Sequence, residues 1–208
     1  MSVHKLSNLG PFGTNCYIVE TANNGAILID CPYDHAKILT KIDIMGRELK
    51  AILLTHGHCD HIDAVWEVAA RVGCPVYIHE DDKDMLKYPR LSLAEYFDYP
   101  VKPFVEYTTV KDGDVLTFDD ISFTVISTPG HTKGSVCYLT NRIMFTGDTL
   151  FRLSVGRTDF PGGDYKMLMN SIARLAAIDE FATVHPGHGD STWLFEEIKE
   201  NPFLESLR

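Results

Sequence analysis

Residues 55–64 read THGHCDHIDA and follow directly on the apolar run Ala51, Ile52, Leu53 and Leu54. His56, His58, Asp60 and His61 crowd into a six-residue stretch. A buried core excludes such side chains unless each has a partner, and an ordinary surface loop has no need of them. Imidazole and carboxylate at this density suit zinc, iron or manganese. The segment therefore constrains the fold: a strand has to end near Leu54, the chain has to turn, and further ligands have to arrive from elsewhere. Gly57 lets the backbone bend so that His56 and His58 point to one place. Capping is the competing reading for Asp60, which stands at a helix start with Asp63 three residues on. Cys59 is expected to point away from the cluster and to pack.

Further ligands are present downstream. TPGHTKGS places His131 after a strand-like run, FTGDTLF places Asp148 in the same context, and VHPGHGD offers His185 and His188. His188, between two glycines, is the expected ligand. His185, before Pro186, is assigned a structural or supporting role. Short strands are expected at Cys16–Glu20, Ala26–Ile29, Ala51–Leu54, Pro75–Ile78, Val136–Leu139, Arg142–Phe145 and Thr183–Val184. DVLTFDDISFTVIS adds two more around Asp119–Asp120, and Thr140–Asn141 is the expected turn of the later pair. Helices are expected over Asp34–Ile44, from Ile62 to Val72 with Gly73 as cap, over Tyr165–Ile178, and over Trp193–Glu200, stopped by Pro202. Many short strands with few helices indicate two packed sheets covered by helices, an α+β fold rather than a doubly wound one. Side chains at several strand ends then converge although they are distant in sequence.

Composition narrows the function. The chain has 208 residues and a net charge of −10, with no basic run, which disfavours nucleic acid and anionic membrane surfaces as partners. No repeat or linker divides it, so residues 1–208 are read as one domain. The N-terminus lacks the apolar core of a signal peptide, and a cytoplasmic location is expected. The five cysteines are scattered and never form C-x-x-C, so neither a disulfide framework nor a cysteine zinc site is indicated. A monomer and a homodimer both remain open.

The cluster H-x-H-x-D-H, with the later G-H-T, G-D-T and G-H-G segments, resembles the metallo-β-lactamase-fold hydrolases. GDTLFRLSVGRTDFPGGD and the closing GHG…EE…NPF resemble their short bacterial glyoxalase II-like branch. The matching motifs run from Asp30 to Phe203. The resemblance implies an αββα sandwich, two mixed sheets flanked by helices, with two divalent metals at one edge: zinc first, iron or manganese as alternatives. It assigns His56, His58 and His131 to one metal and Asp60, His61 and His188 to the other, with Asp148 bridging. Asp30 matches a supporting aspartate. The implied chemistry is hydrolysis, most simply of a hydroxyacylglutathione-like thioester, by hydroxide between the two metals, with Asp60 as the catalytic residue that orients it.

Substrate identity is less constrained. Full-length glyoxalase II members carry a C-terminal helical domain that binds glutathione, and this chain is expected to lack it. Their Lys-x-Tyr contact to glutathione falls on Arg157 and Asp159 here. Arg157 is the candidate substrate-binding residue, a clamp for a carboxylate, unless it forms a structural ion pair with Asp159. The aromatic segment 88–104 is a candidate substrate wall or a packing insertion. A persulfide dioxygenase is the alternative function, with a single iron at His56, His131 and Asp148. A β-lactamase or lactonase is compatible with the fold, and a non-catalytic metal-binding protein is the alternative of another class.

Overall fold

A computed structural model describes residues 1–178 and 181–207 of the chain. Its central strands are apolar on both faces, and the two faces go to different places. In Gly25–Ile29, Ala26 and Leu28 join one apolar cluster while Ile27 and Ile29 join another. Cys16 and Ile18 part in the same way from Tyr17 and Val19 in the strand Thr14–Glu20. This is the period of two of an extended chain, in strands covered on both sides. It explains why runs such as Ala51–Leu54 show no polar alternation.

Two mixed sheets result. In the first, Val3–Leu9, Thr14–Glu20, Gly25–Ile29, Glu48–Leu53, Val76–His79 and Tyr107–Val110 lie side by side in chain order. The first three strands pair antiparallel and the remaining pairings are parallel. The second sheet has the order Thr192–Trp193, Thr183–Pro186, Ile143–Gly147, Val136–Thr140, Ile121–Ser127 and Val115–Phe118. Only Ile143–Gly147 and Thr183–Pro186 are parallel in it. Tyr17, Ile27 and Leu53 from the first sheet meet Phe123, Tyr138 and Phe145 from the second in the central layer. Helices His35–Ile44 and Val65–Val72 cover the outer face of the first sheet through Ile38, Ile42, Val65 and Val68. Tyr165–Ala176 and Leu194–Glu200 cover the second through Leu168, Ile172, Leu175 and Leu194. The architecture is the expected αββα sandwich.

Several local expectations are corrected. The helix after the histidine cluster is two helices, Cys59–Ile62 and Val65–Val72, the second ending on Gly73 in the left-handed conformation (φ 71°). Asp60 lies inside the first turn of the short helix, and His58 holds the N-cap position without a capping side-chain bond, so Asp60 is not an N-cap. The turn after Val136–Thr140 falls one residue later than expected, on Asn141 (φ 51°) and Arg142. The last α-helix ends at Glu200, before Pro202, as expected, and Pro202 then opens a separate 3₁₀-helix, Pro202–Leu207, because proline's fixed φ suits a first helical turn. The outer strands Val3–Leu9 and Tyr107–Val110 carry no strong apolar pattern, since an edge strand keeps much of its surface in water.

All five cysteines are free thiols. Among the described residues no helix is long and apolar enough to cross a membrane.

Candidate metal centre

Strand ends build the site. Asp30 follows Gly25–Ile29, and the loop carrying His56 and His58 follows Glu48–Leu53. His131 comes after Ile121–Ser127, Asp148 directly after Ile143–Gly147, and His188 after Thr183–Pro186. Asp60 and His61 are presented by the short helix Cys59–Ile62. The structure brings all seven candidate ligands together. Potential ligand atoms of His56, His58 and His131 lie within 4.8 Å of one another, as do those of His56, His61 and Asp148 and those of Asp60, His61 and His188. The Asp148 carboxylate stands between these groups. Its Oδ1 is 3.3 Å from His61 Nε2, and its Oδ2 is 3.5 Å from the Nε2 atoms of both His131 and His188.

The residues fit metal ions, and the reason is what the histidines do with their other nitrogen. His61 Nδ1 donates to Asp30 Oδ2 at 2.8 Å, and His131 Nδ1 donates to the Arg157 carbonyl at 2.7 Å. His56 Nδ1 faces Thr55 Oγ1 at 3.2 Å. With Nδ1 protonated, the Nε2 lone pairs of His61 and His131 turn to the centre, the arrangement of metal-ligating imidazoles. Buried His56 Nε2 and Asp148 Oδ1 have no hydrogen-bond partner, and His58 turns its Nδ1 to the cluster, 2.9 Å from His131 Nε2. Leaving such an atom unpartnered costs about 1–3 kcal/mol, which a bound cation offsets. Burial holds His56 well below the usual imidazole range and brings His58 down to about 3, so both present neutral rings. Burial opposes protonation of His188 too, but Asp148 and Asp60 outweigh it and raise this ring to about 9. The proton held there is one a metal ion would displace. A donor set of imidazole and carboxylate without thiolate differs from a closed structural zinc site.

Supporting residues complete the frame. Asp30, at φ 58°, accepts from Thr55 N at 2.8 Å and from Thr55 Oγ1 while it orients His61. Three further supports carry no ligand-like signal in the sequence. Thr14 Oγ1 donates to Asp60 Oδ2 at 2.9 Å. Asn15 Nδ2 donates to the Pro186 and Gly189 carbonyls at 3.0 and 2.9 Å, which fastens the His188 loop. Fully buried Asp82 accepts from Gly57 N at 3.0 Å, Thr132 Oγ1 at 2.6 Å and Gly134 N at 2.8 Å, tying the His56–His58 loop to the His131 loop. Their partners are remote in the chain, so no local pattern marks them.

His185 is apart from the centre: its Nδ1 meets Ser191 Oγ at 2.8 Å and its ring stacks on Phe145. Cys59 is buried and belongs to none of the three ligand groups, and it borders the cavity over them. That cavity has a volume of about 390 Å³. Arg157 lines it, with Nε and Nη2 each 2.7 Å from the Asp159 carboxylate. A larger cavity, about 590 Å³ between Trp66 and Phe104, holds none of the seven groups.

Gly187 shows how tightly the centre is packed. A Cβ there would fall against Asp148 Oδ1 and His61 Cε1. Gly187→Ala is therefore expected to displace Asp148 and to lower metal affinity at least about tenfold, as losses of groups that orient ligands do. Metal titration checks this, and unchanged affinity would contradict the packing.

The sequence profile of the metallo-beta-lactamase superfamily matches residues 9–191. Hydroxyacylglutathione hydrolase GloC of Haemophilus influenzae is 32% identical over 201 residues, covering 94% of this chain and 94% of its own. The crystal structure of the BLEG-1 B3 metallo-beta-lactamase is similar with a TM-score of 0.92 and 33% identity, over 98% of this chain and 100% of that one. TTHA1623, solved in a di-iron-bound form, is similar with a TM-score of 0.87 and 36% identity, over 97% of this chain and 100% of that one. With its two mixed sheets, its flanking helices and its histidine–aspartate cluster at the strand ends, the chain belongs to the metallo-β-lactamase superfamily.

Proposed function

We propose that the protein is a dinuclear metal-dependent hydrolase that cleaves a thioester. The observation that carries this reading is the placement of Asp148 between two ligand groups, directly under the 390 Å³ cavity. His56, His58 and His131 would hold one divalent ion, and Asp60, His61 and His188 the other, with Asp148 shared. Ions bound there supply Lewis acidity, which lowers the pKa of a coordinated water from about 15.7 to about 7. Zinc suits the donors, and so does iron, which the similar TTHA1623 contains.

The chain's own groups do the rest. Asp60, fixed by the Thr14 hydroxyl, orients the attacking water at the cavity floor. Water oxygen bonds to the acyl carbon, the carbon–sulfur bond breaks, and sulfur leaves as a thiol once it has taken a proton. The apolar cavity wall excludes bulk water and strengthens each electrostatic contact beneath it. The name of the GloC relative supports a thioester over other hydrolysable bonds. Five free thiols fit a protein that works in a reducing compartment such as the cytoplasm.

Metal analysis of freshly purified protein, followed by thioester hydrolysis, β-lactam hydrolysis and oxygen uptake on the same sample, tests the proposal. Two metal ions per chain with thioester turnover and no oxygen uptake is the expected result. One iron per chain with oxygen consumed on glutathione persulfide would replace the hydrolase with a dioxygenase. Fully metallated protein inert to every substrate would leave only metal binding.

A further inference from the structure

The wall of the cavity above the ligands is aromatic and comes from parts of the chain far apart in sequence. Phe12 belongs to the turn between the first two strands, Leu93 and Phe97 to the segment 88–104, and Phe151, Val155 and Phe160 to the stretch after Asp148. The rings form a continuous series. Phe12 and Phe97 have centroids 5.1 Å apart, Phe97 and Phe160 5.9 Å, and Phe160 meets His58 edge-on at 6.1 Å. Phe151 meets His188 edge-on at 6.1 Å. An apolar surface therefore begins at the ligands themselves and extends to the rim, where Phe12 and Phe97 are 38% and 37% exposed.

The polar inventory of the wall is short. Apart from the metal ligands it consists of Cys59 and Arg157. One edge of the guanidinium, Nε and Nη2, is taken by Asp159, and its Cζ lies 4.0 Å from the centre of the Phe160 ring. Arg157 thus serves as half of an ion pair that covers an aromatic ring. A hydroxyl or carboxylate brought into this cavity leaves its water partners and finds few replacements, which disfavours polar groups.

Resting on the thioesterase reading, we propose that the Phe12–Phe97–Phe160 wall selects the acyl group, and that the substrate is the thioester of an uncharged aromatic or branched acyl group rather than of a small hydroxy acid. The acyl carbon has to reach the floor at Asp60 and Asp148, so the side chain attached to it occupies the ringed space directly above. The thiol portion extends past the rim toward solvent. A cavity of 390 Å³ has room for a phenyl-sized group among six apolar side chains. Each methylene placed in such a pocket changes kcat/KM by about tenfold or more.

The test compares phenylacetyl, isovaleryl and lactoyl thioesters of one neutral thiol, N-acetylcysteamine, on the fully metallated protein. The expected kcat/KM for phenylacetyl exceeds that for lactoyl at least about tenfold, and the ratio falls toward one in Phe97→Ala and in Phe12→Ala. Lactoyl cleaved as fast as phenylacetyl, or a ratio unmoved in both variants, would overturn the inference while leaving thioester hydrolysis in place. If no thioester is cleaved, the thioesterase reading fails, and calorimetry on the same sample still decides the pocket. Phenylacetate bound at least about tenfold more tightly than lactate supports the apolar wall, and equal binding refutes it.

Discussion

Asp148→Ala is expected to hold at most one metal ion per chain and to lose more than about a hundredfold in kcat. Removing only a group that orients a ligand typically costs 10–100-fold in affinity or activity. Asp148 is closer to the chemistry than such a group, with oxygens facing His61 on one side and His131 and His188 on the other. His188 and His61 hold this carboxyl well below the usual carboxylate range against the opposing effect of burial, so it is charged at any working pH. Alanine removes that charge from between two ligand groups, and histidines in both then lose their common counter-charge. Metal content and turnover should fall together, while the far-ultraviolet circular dichroism stays native because no backbone bond is lost. Full activity without this carboxylate would end the dinuclear proposal.

Asp82→Ala is expected to lower both stability and metal binding, although Asp82 is not among the seven candidate ligands. Its carboxylate accepts from Gly57 N, Thr132 Oγ1 and Gly134 N in a site without solvent exposure. Alanine strands these donors at about 1–3 kcal/mol for each one left unpaired. Thr132 keeps Ser135 as a partner at 2.7 Å, so two backbone donors carry most of the loss. A loss of about 3 kcal/mol in a chain of this size lowers Tm by about 6–12 °C. Metal affinity should fall 10–100-fold, because Gly57 lies between His56 and His58 and Thr132 follows His131. Asp82→Asn keeps one accepting oxygen and is expected to fall between wild type and alanine. Thermal unfolding and metal titration together check the prediction, and an unchanged Tm with full metal occupancy would refute it.

The candidate ligands were legible because their signal is local. Imidazole and carboxylate at H-x-H-x-D-H spacing, and single histidines or aspartates flanked by glycine after apolar runs, announce their chemistry within a few residues. The layers were legible for a similar reason, since strands apolar on both faces belong inside a sandwich of two sheets with helices outside. Local signals failed where two readings share one pattern. Asp60 suited a helix cap as well as a ligand, and the backbone put it inside the turn. The apolar spacing from Ile62 to Val72 read as one helix, yet the chain breaks it at Asp63 and Ala64.

Side chains that act through remote partners were not legible at all. Thr14 reaches Asp60 across 46 positions, Asn15 reaches Pro186 across 171, and Asp82 reaches Thr132 across 50. No local pattern distinguishes these residues from polar surface, because their role exists only once the loops have met. The aromatic segment 88–104 is similar: its composition allowed packing or substrate contact, and Phe97 packs on Phe12 and Phe160 while lining the cavity over the candidate ligands. By itself the sequence determined the candidate donor residues and the two-layered core, since residue type and near spacing carry both. Only the tertiary structure decided that Asp148 stands between two ligand groups, that Arg157 is engaged by Asp159, and that the cavity above them is apolar. Each of these depends on distances between strand ends and loops, which loop closure and packing set and which spacing along the chain does not record.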